Sequence, residues 1–66
     1  MSRIEALMLE SKADEFLDSA LNQIGRGSIP SVVGLLTTAR GMFEKLNMAQ
    51  HVELLDKALE HYRALR

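Results

Sequence analysis

The only loop-like stretch in this chain is Gly25-Arg26-Gly27-Ser28-Ile29-Pro30-Ser31, and the apolar residues on both sides of it recur at helical spacing. Two glycines and a proline so close together mark a turn. Before it, no Gly or Pro interrupts the chain until Gly25, a natural left-handed stop for a helix. Ser2-Arg3-Ile4-Glu5 matches the capping box, in which a Ser hydroxyl and a Glu carboxylate satisfy free amides of a first turn. A helix over residues 3–24 follows. After the turn, either Ser28 or Ser31 can cap a second helix, with Pro30 compatible with its first turn.

The second helix, over residues 31–46, places Val32, Leu35, Leu36, Ala39, Met42, Phe43 and Leu46 on one stripe. Val52, Leu54, Leu55, Ala58, Leu59, Tyr62 and Leu65 form the corresponding stripe over residues 48–65. If residues 31–65 were one straight helix, these two stripes would lie well over 100° apart, and a single neighbour could not bury both. A hinge at Asn47 removes the conflict. Asn47-Met48-Ala49-Gln50 is a capping-box pattern in its Asn/Gln form, so a third helix is expected to start there. One long helix whose halves face different partners is the competing arrangement.

The first helix is the unusual one. Leu9, Ala13, Phe16, Leu17, Ala20, Leu21 and Ile24 form its main stripe, whereas Ile4, Leu7 and Met8 centre roughly opposite to it at about 100° per residue. A helix buries one stripe in its own domain; a second stripe suggests a partner.

Size sharpens that point. A chain of 66 residues holds one domain at most, and so small a domain buries only about 60% of the surface its unfolded chain exposes. Such domains gain support from disulfides, metals, very good helix packing or oligomerisation. The absence of cysteine removes the first option and thiolate metal sites with it. With 47% hydrophobic and 26% charged residues, the composition is that of a globular domain rather than a disordered or membrane-spanning chain. No apolar run approaches the roughly 20 residues of a spanning helix, and the first residues lack the pattern of a signal peptide, so the cytoplasm is the expected compartment. The fold expected is all-α: a small three-helix antiparallel bundle, or alternatively a helical hairpin that dimerises into a four-helix bundle.

A net charge of -1 argues against a sequence-independent grip on nucleic acid, which needs several cations set against phosphates. The charge is uneven, however. Residues 1–25 carry Glu5, Glu10, Asp14, Glu15 and Asp18 against Arg3 and Lys12, whereas residues 26–46 carry Arg26, Arg40 and Lys45 against Glu44. That asymmetry can set the register between helices, within a chain or between chains.

Catalytic and metal chemistry find little to work with. His51 and His61 lie on one helix, about 15 Å apart along its axis, and neither has a ligand at the spacing a helical metal site uses. The glycine expected after a phosphotransfer histidine is missing at both. Gly25-Arg26-Gly27-Ser28 lacks the Lys-Ser/Thr ending and the preceding strand of a phosphate loop. Glu53, Asp56 and Glu60 read as a solvated strip. No catalytic residue, metal or cofactor is expected. No repeat period and no basic recognition helix assigns the chain to a family.

What remains is binding. The chain reads as a small helical protein-protein interaction module, acting as an adaptor, a chaperone-like cofactor or a regulatory inhibitor, and expected to be a homodimer. Ile4, Leu7 and Met8 are the expected partner contacts. Gly34 and Gly41, with Thr37 and Thr38, form a second candidate surface of small residues on the back of helix 2. The alternative is a dimeric nucleic-acid-binding regulator that gathers Arg26, Arg40 and Lys45 from two subunits into one basic patch.

Overall fold

Three α-helices account for the architecture in a computed structural model that describes residues 1–65: α1 (Arg3–Gln23), α2 (Ile29–Lys45) and α3 (Ala49–Ala64). They form a small three-helix bundle, consecutive helices running antiparallel across short joints.

The first joint is written in local chemistry. Ser2 caps α1, its hydroxyl accepting from the Glu5 amide at 3.1 Å, so the serine half of the capping box is made. Beyond Gln23 the chain makes a tight turn through Ile24 (φ -62, ψ 121) and Gly25 (φ 82), closed by the Arg26 amide donating to the Gln23 carbonyl at 2.9 Å. This is type II geometry, and its third residue needs positive φ, which glycine supplies without strain. Ser28 then caps α2, accepting from the Ser31 amide at 3.3 Å. Of the two possible caps, the earlier one serves. Ser31 instead donates its hydroxyl to Gln23 Oε1 at 2.7 Å, tying the end of α1 to the start of α2.

The second joint breaks the chain where the apolar stripes demand it, but by a different device from the one expected. Asn47 adopts φ 58 and closes α2 rather than capping α3. Its amide donates to the Glu44 carbonyl at 3.0 Å and the Met48 amide donates to the Phe43 carbonyl at 3.0 Å, the paired bonds of a Schellman motif. Met48 occupies the α3 N-cap and makes no side-chain cap bond. The expected cap at Asn47 is therefore corrected: that backbone is spent on reversing direction, and asparagine tolerates the left-handed region better than most residues with a Cβ.

In the core, α2 is central. Val32, Val33, Leu36, Ala39 and the fully buried Phe43 come from α2, joined by Ala13 and Ala20 from α1 and by Leu55 and Leu59 from α3. α1 and α3 each pack on α2, and no Cα of one comes within 8 Å of a Cα of the other. The radius of gyration is 12.1 Å, against about 11 Å expected for a compact chain of this length.

Packing corrects two of the expected stripes. On α1 the buried Ala13 and Ala20, with Phe16 and Leu17 packed against the core, form the face turned to α2, and Ala6, Leu9 and Gln23 are half-buried. Alanines at the closest approach let the helix backbones come together. Leu21 and Ile24, expected in the core, are instead exposed, as are Leu54 of α3 and Leu65 at its C-cap. The α2 stripe holds throughout.

Candidate functional site

The first two turns of α1 set the geometry of the most distinctive surface. Ala6 and Leu9 are half-buried on the side of α1 that carries the buried Ala13, so residues half a turn away point outward. Ile4, Leu7 and Met8 occupy those positions and are 71%, 60% and 68% exposed. Because α1 does not approach α3, no other element among the described residues covers them. Continuing along the same outward face, the helix presents Ser11 and then Asp14, Glu15 and Asp18, all exposed. The face thus changes midway from apolar to acidic. Lys12 reaches Glu15 at 3.9 Å, a loose and solvated pair.

The back of α2 is less inviting. A Cβ built on Gly34 or Gly41 meets nothing within 4 Å, so neither glycine makes room for a neighbour in the chain. Thr37 donates its hydroxyl to the Val33 carbonyl at 2.7 Å and Thr38 to the Gly34 carbonyl at 3.0 Å. Both threonine donors are committed to their own helix. The surface is flat, small and chemically quiet.

Arg40 stands apart from the other two residues of the candidate basic patch. Its guanidinium donates through Nε to Asp56 Oδ1, through Nη2 to Asp56 Oδ2 at 3.5 Å, and through Nη1 to Glu44 Oε2 at 2.7 Å. The hydrogen bond to Asp56, followed by the charge of Asp56, pushes the Arg40 pKa above its ordinary value. Two carboxylates thus compete with any phosphate for this cation. Arg26 lies in the α1–α2 turn and Lys45 at the end of α2, so a chain does not bring the three together on its own.

A shallow hollow at the α2–α3 joint includes Arg40, Asp56, Met48 and Val52. Arg40, Glu44 and Asp56 pair with one another there, and among the described residues no buried side-chain polar atom lacks a partner. His51 is exposed at the rim of the core, its ring centroid 4.7 Å from that of Phe43. His61 lies edge-on to Tyr62. Both histidines are accounted for by aromatic contacts. Among the described residues no group of three or more His, Asp or Glu side chains could hold a metal ion, and no helix is long and apolar enough to cross a membrane.

Comparison with protein-family models, with curated proteins and with solved structures gives no match.

The exposure of Leu54 and Leu65 was not anticipated from sequence, because both sit within the helical stripe of α3. The signal that separates them is angular. Leu54 lies about 100° from Leu55, and Leu65 about 120° from Leu59, toward the flank away from Asp56. α3 has only α2 to pack against, and one neighbour buries a narrow arc.

Proposed function

We propose that this chain is a small helical protein-protein interaction module that acts by binding rather than by catalysis, and that it self-associates as a homodimer through the outward face of α1. The observation that carries this reading is the exposure of Ile4, Leu7 and Met8 as one patch. Three large apolar side chains on adjacent turns leave a contiguous apolar surface on a protein with little core to spare. Packing such a stripe against another amphipathic helix is a recurrent mode of helix recognition. The committed hydroxyls and shallow relief of the Gly34–Gly41 face rank it second, and the engagement of Arg40 by Asp56 and Glu44 weakens the basic-patch alternative.

A patch of three side chains is smaller than the standard interface of about 800 Å² per partner, so the dimer is a weak, reversible one. Light scattering over a concentration series reaching hundreds of micromolar tests this. The expected result is a rise from monomer to dimer mass in the parent chain, and a constant monomer mass for Leu7→Asp with unchanged helical circular dichroism. A parent chain that stays monomeric throughout sinks the reading.

A further inference from the structure

The outward face of α1 carries its charges in an order that discriminates between ways of pairing with a second copy. Its centre runs through Ile4 and Ser11. Arg3, Leu7 and Asp14 lie on one flank, and Glu5, Met8 and Lys12 lie on the other at about 100° per residue. All of these side chains are exposed.

Parallel pairing, residue against like residue, sets Asp18 on Asp18 and brings Glu15 beside Asp14 across the interface. The same arrangement also sets Arg3 beside Glu5 and Lys12 beside Asp14, so its opposite-charge pairs come with clashing acids in the second half of α1. Antiparallel pairing about a two-fold axis near Leu7 and Met8 keeps opposite-charge pairs and separates those acids. In facing antiparallel helices each flank meets the same flank of its partner, so Leu7 packs on Leu7 and Met8 on Met8, while Ile4 lies over Ser11. On the first flank Arg3 of each copy comes opposite Asp14 of the other. On the second, Glu5 comes opposite Lys12, which the weak Lys12–Glu15 contact leaves available. The remaining acids, Glu15 and Asp18, fall toward and beyond the end of the overlap. The antiparallel register therefore joins the apolar residues and places opposite charges on both flanks without stacking acid on acid.

We propose that the partner of this surface is a second copy of the chain, docked antiparallel, α1 on α1, in this register, with Arg3–Asp14 and Glu5–Lys12 as the flanking ion pairs and the repulsion among Asp14, Glu15 and Asp18 as what disfavours parallel docking. This rests on the homodimer reading above and adds a geometry to it. Charged residues flanking an apolar helix seam set partner orientation in the same way in coiled coils.

The chain has no cysteine, which makes disulfide trapping clean. Met8→Cys is expected to form a covalent dimer under mild oxidation, since the two-fold axis brings position 8 near its own counterpart. Ser11→Cys alone is expected not to, because the two copies of position 11 are offset by about 10 Å along the helices, beyond disulfide reach. Mixing Ile4→Cys with Ser11→Cys chains is expected to give the mixed dimer. A second measurement uses charge. Arg3→Asp weakens dimerisation by about tenfold, since the symmetry repeats each changed contact twice, and Arg3→Asp combined with Asp14→Arg restores it. If light scattering shows a dimer that Leu7→Asp abolishes, while Ser11→Cys self-links as fast as Met8→Cys, the surface is right and the antiparallel geometry is overturned. A chain that neither dimerises nor cross-links overturns both.

Discussion

At Asn47 the backbone enters the left-handed region on a residue that carries a side chain, and the reversal between α2 and α3 depends on it. Glycine takes that conformation without the Cβ penalty, whereas a β-branched residue resists it. Asn47→Gly is expected to keep or raise the midpoint of urea unfolding, and Asn47→Val to cost about 1–2 kcal/mol by the same assay. Gly34 and Gly41 present the converse case. Both sit inside a helix with open space where a Cβ would go. Gly34→Ala and Gly41→Ala are each expected to stabilise by about 0.5–1 kcal/mol, chiefly by restricting the unfolded chain. A loss of stability or of dimer mass in either variant shows instead that a partner packs on that face. The break at residue 47 was legible because two apolar stripes disagreed in angle. The Schellman closure was not, since Asn followed by Gln three residues later fits a helix start equally well until the φ is known.

Among the elements, the three helices and their order follow from the apolar spacing and from the glycine-proline turn, while the width of each buried arc does not. α2 has a neighbour on two sides and buries five residues across a broad arc, including Val33, which lies off its expected stripe. α1 and α3 have one neighbour each and bury two residues apiece. Hydropathy alone cannot report how many neighbours a helix will find, so Leu21, Ile24, Leu54 and Leu65 look like core and are not. The difference is measurable. Ala20→Leu overpacks the close approach of α1 and α2 and is expected to destabilise by about 1–3 kcal/mol, whereas Leu21→Ala, one residue on, is expected to change stability by under about 1 kcal/mol. Equal effects in urea unfolding would mean that the seam does not run through the alanines. The outward Ile4, Leu7 and Met8 were legible for the same angular reason that the flank leucines were not: they stand opposite the seam, beyond any plausible arc.

For the whole molecule, the arrangement around α2 implies graded stability. α2 amides are expected to exchange only on global unfolding, while the first two turns of α1 and the last turn of α3, with few buried side chains, open locally. Hydrogen exchange at low and high protein concentration joins this to assembly: protection of residues 3–11 is expected to rise with concentration while that of α3 stays constant. The lack of contact between α1 and α3 also bears on how the chain reaches its structure. Every helix packs only on its neighbour in sequence, so no segment has to wait for a distant one to arrive, and the entropy of closing long loops is never a barrier. Folding is then expected on the microsecond-to-millisecond scale of local-contact proteins. An α1–α2 hairpin needs nothing from α3 and is expected to form first, with α3 adding to a surface already in place.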